Sequence, residues 1–254
     1  RADFLANASH ELRTPLASLA GFIETLRGHA KDDPEARDRF LGIMVDQTER
    51  MQRLINDLLS LSRVEMDEHV PPGGRADLVA IVEDVAAFLR PQLEERTITL
   101  DLDMPEAAEA TGDRDQLTEV VMNLVENAIK YSPEGADVAI SLQTGLTRDA
   151  AERPGPVFCE GANRLTLAAP TTEPGERYAL LRVRDTGQGI ERGNLSRLSE
   201  RFYRVDGQKS GPKEGTGLGL AIVKHIVNRH RGGFAVESAP GAGSIFSVFL
   251  PLAA

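Results

Sequence analysis

The sequence predicts an α plus α/β fold, in which an antiparallel helical hairpin is followed by a linker and an α/β sandwich. Residues 1–67 carry two heptad patterns of apolar residues, which are typical of long helices with one narrow apolar seam. Residues 68–76 (EHVPPGGRA) interrupt these patterns with two prolines and two glycines and therefore indicate a linker. Residues 77–254 mix helical and strand patterns without strict βαβ alternation, which favours helices on one face of a mixed sheet.

The two hairpin helices are separated by KDDP at residues 31–34, where Pro34 suits the first turn of the second helix. We expect each helix to have about 30 residues. Because one hairpin cannot bury both seams and their flanks, we expect a homodimer in which two hairpins form a four-helix bundle. The seam positions are Leu12, Leu16, Leu19, Ile23, Leu26 and Ala30 in the first helix, and Phe40, Met44, Gln47, Met51, Leu54, Leu58, Leu61 and Glu65 in the second.

The sandwich is predicted to have helices near 79–95, 114–130 and 218–230, and strands near 97–103, 137–143, 178–185, 234–238 and 244–250. Between its second and third predicted strands, residues 144–177 are rich in Gly, Pro, Thr and Ala and are long for a hairpin connection. Two interpretations stay open for this insertion: an irregular excursion, or an additional strand over residues 164–169 (RLTLAA).

Bulk properties narrow the class of protein. A net charge of -10 argues against nonspecific nucleic-acid binding, which needs a surplus of Lys and Arg. The single cysteine, Cys159, cannot form an internal disulfide, so we expect a reducing compartment. No apolar run approaches the roughly 20 residues that span a bilayer, so we expect the chain as given to be soluble. It begins at an Arg directly before a patterned helix, which suggests that an upstream part has been removed.

His10 is the first candidate for chemistry. On a helical projection it points away from the seam, with Thr14 one turn further along the same exposed stripe. Pro15 has no N–H to give the carbonyl of Glu11, so the helix should bend or loosen there. The Glu11 carboxylate, beside the imidazole, can hold one ring nitrogen as a donor and leave the other as a nucleophile. An ordinary solvated histidine is the competing interpretation.

A second candidate is the polar face of the helix at 114–130. Asn123, Asn127 and Lys130 follow one another at helical spacing, away from the apolar stripe. Asparagine is a mediocre helix former, so two stacked asparagines are unusual on a plain solvated face. Neutral amide oxygens with a lysine one turn on suit a Mg²⁺–phosphate complex, because Mg²⁺ takes oxygen ligands.

Two glycine-rich segments complete the candidates. In DTGQGI, Asp185 could accept a hydrogen bond from an exocyclic amine such as that of adenine, and Gly187 and Gly189 would let a flat base approach the backbone. In GTGLGLAIV, alternate glycines at 215–219 run into a helix, which offers N–H groups to phosphates. Neither the dinucleotide fingerprint nor the Walker motif is present.

The order and spacing of these segments resemble the sensor histidine kinases of two-component systems over nearly the whole chain. FLANASHELRTPLASLAGF is similar to the H-box, NLVENAIKYSPEG to the N-box, DTGQGI and GTGLGLAIVKHIV to the two glycine boxes, and RLSERFYRVD to the F-box. DFLANASHELRTPLASLAGFIETL, with QTERMQRLINDLLSLSRVE in the second helix, is similar in particular to phosphate-regulon sensor kinases.

The resemblance implies a helical dimerisation and phosphoacceptor domain at 1–67 and a catalytic ATP-binding domain of the histidine kinase, gyrase and chaperone type at 77–254. It implies ATP-dependent autophosphorylation of His10, transfer to an aspartate of a response regulator, and a phosphatase role for Thr14. The implied nucleotide and Mg²⁺ residues are Asn123 and Asn127 for the metal, Lys130, Tyr131, Asp185, Gly187 and Gly189 for the nucleotide, Gly215, Thr216, Gly217, Leu218 and Gly219 for the pocket and its lid, and Phe202 and Tyr203 as lid anchors.

By the same resemblance the chain is the cytoplasmic portion of an inner-membrane sensor, attached to the membrane only through a missing upstream region. Two other classes stay open: an ATP-driven conformational machine like the gyrase and chaperone ATPases, without phosphohistidine, and a non-catalytic scaffold that docks a regulator. HELRTP on an exposed stripe argues against the first, and the intact Asn127, Asp185 and glycine boxes argue against the second. Whether His10 is phosphorylated by its own subunit or by its partner depends on the twist of the turn at 31–34.

Overall fold

The computed structural model describes residues 2–152, 157–171, 175–205 and 215–253. These residues form two compact units, which we describe separately. The first contains Arg1–Arg63 and Glu200–Gly219, and the second contains Val64–Ser199 and Leu220–Ala254, in each case as far as they are described. The sequence assigns residues 200–219 to the sandwich, whereas in the structure they group with the hairpin.

Two long helices form most of the first unit, α1 (Ala2–Arg27) and α2 (Pro34–Asp67). α2 begins at Pro34 as predicted, and the Asp33 carboxylate caps it by accepting a hydrogen bond from the Ala36 N–H over 3.0 Å. The rings of Phe22 and Phe40 stack with centroids 5.4 Å apart, which joins the two helices near the turn. Within the described ranges, no helix combines the length and the apolar character that a membrane crossing requires.

The second unit contains a mixed six-stranded sheet with the strand order β2-β4-β6-β8-β7-β5, and a separate antiparallel pair, β1-β3. Only β2 and β4 pair in parallel in the large sheet as described. The strands are β1 (Arg75–Asp77), β2 (Thr99–Asp103), β3 (Glu109–Thr111), β4 (Asp137–Thr147), β5 (Asn163–Ala168), β6 (Arg177–Asp185), β7 (Gly233–Ala239) and β8 (Gly243–Pro251). The helices are α3 (Leu78–Glu95), α4 (Arg114–Tyr131), α5 (Arg148–Glu152), α6 (Arg192–Leu195) and α7 (Gly219–Arg229).

Aspartate caps begin the two large helices of the sandwich. Asp77 accepts hydrogen bonds from two N–H groups in the first turn of α3, and Asp113 does the same for α4. Each helix then buries one apolar face, as the sequence periodicity predicts. The buried residues of α4 are Leu117, Val120, Val121, Leu124, Val125, Ala128 and Ile129. This packing leaves Asn123, Asn127 and Lys130 on the part-exposed side of α4.

The insertion at 144–177 contains a strand, so the second interpretation of that segment is correct. β5 pairs antiparallel with β7 at the edge of the sheet, and β4 continues past its predicted end to Thr147 through a register shift. β1, β3, α5 and α6 were not predicted, because three to five residues are too short to show a period. β1 includes Arg75 and Ala76 of the predicted linker.

Candidate active site

His10 lies on α1 with an exposed side chain, as predicted. α1 continues through Pro15, whose side chain is buried. Thr14 is also exposed, and its hydroxyl donates a hydrogen bond to the carbonyl of His10 over 3.3 Å. This bond ties the Thr14 side chain to its own helix, which is the ordinary behaviour of a helical threonine. The structure therefore brings His10 and Thr14 together on one exposed stripe.

The carboxylate of Glu11 lies against two arginines. Its Oε2 atom is 3.4 Å from a guanidinium nitrogen of Arg50 on α2 and 3.4 Å from one of Arg204. Two guanidinium groups thus compete for the carboxylate that the sequence interpretation assigned to the imidazole of His10. The orienting role of Glu11 toward His10 remains a prediction, and the contact with Arg204 is one that the sequence did not indicate.

Phe202 and Gly217 approach each other closely in the first unit. The N–H of Phe202 donates to the carbonyl of Gly217 over 2.8 Å. Gly217 has a φ of +74°, and a Cβ there would lie 2.9 Å from the Cα of Phe202. Phe202 itself has a φ of 64°, a conformation that few non-glycine residues adopt. Only glycine fits at position 217, because the backbone of Phe202 occupies the space. Tyr203 is half-buried beside it.

The second glycine box also contacts the hairpin through Thr216. Its hydroxyl donates a hydrogen bond to the Asp57 carboxylate on α2 and accepts one from the Leu218 N–H over 3.2 Å. Leu218 is fully buried. Burial raises the pKa of Asp57, and the Thr216 hydrogen bond and the charge of Arg53 partly offset this effect. Gly215 precedes this contact in the chain, and Gly219 begins α7.

The polar face of α4 belongs to the second unit. The side-chain amide of Asn123 donates to the carbonyl of Glu119 over 2.9 Å, which commits its nitrogen and leaves its oxygen for other partners. The Lys130 ammonium lies 3.2 Å from the Tyr131 hydroxyl and 4.8 Å from the centre of its ring. Asn127 is half-buried and makes no side-chain hydrogen bond with any residue in the described ranges.

Asp185 ends β6, and its side chain is 5% exposed. Its Oδ1 accepts a hydrogen bond from the Gly187 N–H over 2.9 Å, and the backbone of Ser244 donates a further bond to the carboxylate. Burial raises its pKa to about 6, because the charged form loses hydration, while these bonds and the nearby Arg184 pull the pKa down. A buried carboxylate of this kind is typical of a binding site.

Protein backbone fills the space at the glycines of the first glycine box. A Cβ at Gly187 would lie 2.4 Å from the carbonyl oxygen of Tyr131, and one at Gly189 would lie 1.9 Å from that of Ala239. Gly189 also has a φ of +70°. The sequence interpretation gave these glycines to a flat base, whereas in the structure their missing side chains allow the loop to pack on α4 and β7. Contact with a base remains a prediction.

The donor set of the second unit fits a nucleotide with Mg²⁺. Neutral amide oxygens at Asn123 and Asn127 are available for a hard cation, since neither oxygen has a hydrogen-bond partner among the described residues. Lys130 adds a positive charge one turn further on. The Asp185 carboxylate, on another element, is an acceptor suited to an amine.

Two buried serines support this loop and were missed by the sequence interpretation. Ser238 is fully buried on β7, and its hydroxyl accepts a hydrogen bond from the Ile190 N–H over 2.8 Å. It also bonds the Ser244 hydroxyl over 3.0 Å. The available signal was a serine at the end of the predicted strand at 234–238 and another at the start of the predicted strand at 244–250. Asp57 and Arg204 were missed for a different reason, because no local pattern marks their partners.

Comparison with known proteins assigns the class of both parts. Residues 112–254 match the histidine kinase-, DNA gyrase B- and HSP90-like ATPases, and residues 1–67 match the His kinase A (phospho-acceptor) domain. The first match covers more than half of the chain. The chain therefore belongs to the sensor histidine kinases.

Two curated relatives are similar along almost the whole chain. The chain is 35% identical over 251 residues to the sensor-like histidine kinase SenX3 of Mycolicibacterium smegmatis, covering 99% of this chain and 57% of that protein. It is 36% identical over 247 residues to the phosphate regulon sensor protein PhoR of Pseudomonas aeruginosa, covering 97% and 49%. The chain thus spans about half the length of these relatives.

Solved structures share the fold. The histidine kinase AdeS of Acinetobacter baumannii matches with a TM-score of 0.67 at 24% identity, covering 96% of this chain and 98% of that one. The histidine kinase ThkA, solved in complex with the response regulator protein TrrA, matches with a TM-score of 0.66 at 18% identity, covering 99% and 61%. At these identities the likeness concerns the fold alone.

Proposed function

We propose that this chain uses ATP to phosphorylate His10 and passes the phosphoryl group to an aspartate of a response-regulator receiver domain. The observation that carries the proposal is an exposed histidine on a helix of a phosphoacceptor domain, joined in one chain to a domain of the ATPase family. Relatives named as a histidine kinase and a phosphate-regulon sensor support it.

The proposed chemistry needs one nucleophile and a positioned nucleotide. A ring nitrogen of His10 forms a bond to the γ-phosphorus of ATP while the bond from that phosphorus to the bridging oxygen breaks, and ADP leaves. The ring returns to neutrality by releasing its N–H proton. Asn123 and Asn127 would hold Mg²⁺, which neutralises phosphate charge when bound. Asp185 would accept a hydrogen bond from the adenine amine.

Radiolabel chemistry tests the acceptor. With γ-labelled ATP and Mg²⁺, the parent chain should acquire label that acid removes and base does not, whereas His10→Gln should acquire none and still bind ATP. His29 is a matched control, because it is also exposed and follows α1 in the same unit. His29→Gln should label like the parent. Equal labelling of His10→Gln and the parent would refute the assignment of the acceptor.

We also propose that the chain is a homodimer through its hairpin. Large apolar side chains stand exposed on α1 and α2 in the single chain, and such a surface costs free energy in water unless it is covered. They are Leu16, Ile23, Leu41, Val45, Ile55, Leu59 and Met66. Leu16→Glu should shift the mass in light scattering from dimer toward monomer. Phe88→Glu, at a position on α3 that is 67% exposed, should leave the mass unchanged.

We further propose that the chain is the cytoplasmic part of a longer sensor anchored in the inner membrane. The support is that it spans about half of two relatives, of which PhoR is named as a sensor protein. Expression of the full-length gene product followed by membrane fractionation tests this. Recovery of the full-length protein in the fraction without membranes would contradict it.

A further inference from the structure

The large sheet has a second face, turned away from α3 and α4, and part of this face is polar. Cross-strand register aligns Ala139, Arg184, Ile245 and Glu237 in one row on β4, β6, β8 and β7, and Arg164 of β5 continues the row. The neighbouring row contains Ser141, Arg182 and Ser247. Because side chains alternate along a strand, both rows lie on the face opposite to Val138, Ile140 and Val183.

The insertion at 144–177 covers this face in part. β7 and β8 are buried along their whole length, on both faces. Next to the polar rows, Tyr178, Leu180, Ala235 and Phe249 form a small apolar core with Leu146. The ring of Phe158, from the insertion, lies 5.7 Å from the guanidinium carbon of Arg184. Residues of the insertion therefore cover part of this face of the sheet.

A cavity of about 370 Å³ lies between the sheet and the insertion. Its floor consists of Ala139, Ser141, Arg182, Arg184, Glu237 and Ile245, and Phe158 closes one side. This volume is in the range of sites that take small molecules. All of its lining residues lie in the second unit, and none of them is among the residues assigned to the nucleotide or to phosphoryl transfer.

Two arginines line the cavity, although the whole chain carries a net charge of -10. The Glu237 carboxylate is 4% exposed and pairs with Arg164 at 3.0 Å. The guanidinium groups of Arg182 and Arg184 line the cavity in addition. Burial lowers the pKa of Arg182, and Glu237 only partly offsets this effect. The charged residues among the described lining of the cavity are therefore two arginines, Arg182 and Arg184, and one acid, Glu237.

We propose that this cavity is a second ligand site, which binds a small organic anion with a carboxylate or phosphate group against Arg182 and Arg184 and a flat apolar part against Phe158. Guanidinium groups bind both kinds of oxyanion in a bidentate manner. The Phe158 ring and Ile245 supply apolar contact.

Calorimetric titration with phenyl phosphate and benzoate tests the site, with the full chain saturated by Mg²⁺-ADP so that the nucleotide site is occupied. We expect a Kd of about 1 mM or tighter for at least one probe. Tighter binding of phenyl phosphate than of benzoate identifies a phosphate ligand, and the reverse identifies a carboxylate. Inorganic phosphate, which lacks the ring, and phenol, which lacks the charge, should each bind at least tenfold more weakly.

Arg184→Gln should weaken the preferred probe at least tenfold, and Phe158→Ala should weaken it several-fold. Arg90→Gln is the control, because it removes the same charge from the exposed side of α3, in the other layer. It should change the Kd less than twofold. Circular dichroism checks that each variant is folded, and amide NMR shifts should cluster at residues 139–141, 182–184, 237 and 245.

Equal affinity of Arg184→Gln, Phe158→Ala and Arg90→Gln for the probe would overturn the proposal, because binding would then not depend on the cavity. No heat at about 10 mM probe, a concentration that would fill a site with a Kd of about 1 mM, would overturn it as well. So would NMR shifts confined to residues 123–131 and 185–189, which would assign the probe to the nucleotide site.

Discussion

The hydroxyl of Thr216 donates a hydrogen bond to the carboxylate of Asp57 on α2. Asp57 is half-buried, and burial raises its pKa because the carboxylate loses hydration. The hydrogen bond from Thr216 replaces part of that hydration. The same hydroxyl accepts a bond from the Leu218 N–H, which orients it. Thr216 therefore ties the second glycine box to the hairpin within the first unit.

Thr216→Val should destabilise the first unit by about 1–2 kcal/mol, the usual cost when a buried polar group loses its partner. Urea denaturation followed by circular dichroism measures this. Thr48→Val is the control, because the Thr48 hydroxyl is exposed and bonds only to the carbonyl of Met44 on its own helix, as far as the structure describes it. Equal unfolding midpoints for the two variants would show that the Thr216–Asp57 bond adds no stability.

ATP affinity should fall on acidification through the ionisation of Asp185. Its pKa of about 6 means that the ionised acceptor is lost between about pH 7 and pH 5, rather than near pH 4 as for an ordinary aspartate. At pH 5.5 about a quarter of these carboxyl groups are ionised, so binding should be about fourfold weaker than at pH 8. ITP has no exocyclic amine and is the control. An equal pH dependence for ATP and ITP would contradict the role of Asp185.

Gly189→Ala should destabilise the second unit by more than about 2 kcal/mol, because the new Cβ would lie 1.9 Å from the carbonyl oxygen of Ala239 at a φ of +70°. Thermal or urea unfolding measures the loss. Gly193→Ala, where a Cβ meets nothing within 4 Å, should change stability by less than about 0.5 kcal/mol. Equal free energies of unfolding for Gly189→Ala and Gly193→Ala would show that a Cβ can be accommodated at position 189.

Asn127→Asp should reduce Mg²⁺-ATP binding or turnover at least tenfold while the dimer persists. A carboxylate in place of a neutral oxygen changes the charge balance between cation and phosphates, and Asn127 lies off the buried stripe of α4. Asn56→Asp makes the same change at an exposed position on α2 and should have no effect on affinity. If Asn127→Asp leaves the affinity for Mg²⁺-ATP and the turnover rate unchanged, this face of α4 is an ordinary solvated surface.

Thr14→Ala should retain most autophosphorylation of His10 and lose the dephosphorylation of the partner regulator. The Thr14 hydroxyl can donate and accept hydrogen bonds and so orient an attacking water, whereas alanine can do neither. Phosphorylated regulator incubated with the variant and ADP measures the decay. Thr14→Ser keeps the hydroxyl and should keep the activity. If the phosphorylated regulator decays as fast with Thr14→Ala as with the parent, Thr14 has no role in the dephosphorylation. Its hydroxyl would then serve only the hydrogen bond to the His10 carbonyl.

Periodicity in the sequence was sufficient for the long elements. The heptads of α1 and α2, the apolar stripe of α4 and the exposed position of His10 all follow from the spacing of apolar residues along one helix. The order of the strands could not be read in this way, because pairing between β5 and β7 joins residues about 70 positions apart. The local pattern of residues 144–177 therefore does not decide between an irregular excursion and a strand.

The sequence by itself determined the family, the exposed position of His10 and the residue types that suit a nucleotide, because those features depend on local spacing. The tertiary structure alone decided which side chains those residues meet. Glu11 faces Arg50 and Arg204, Thr216 bonds Asp57, and the glycines at 187 and 189 make room for carbonyl groups of distant residues. It also decided that Phe158 of the insertion lines a cavity over the sheet. Long-range contacts of this kind depend on how side chains pack together. No periodic pattern along the sequence indicates which distant residues will pack against each other.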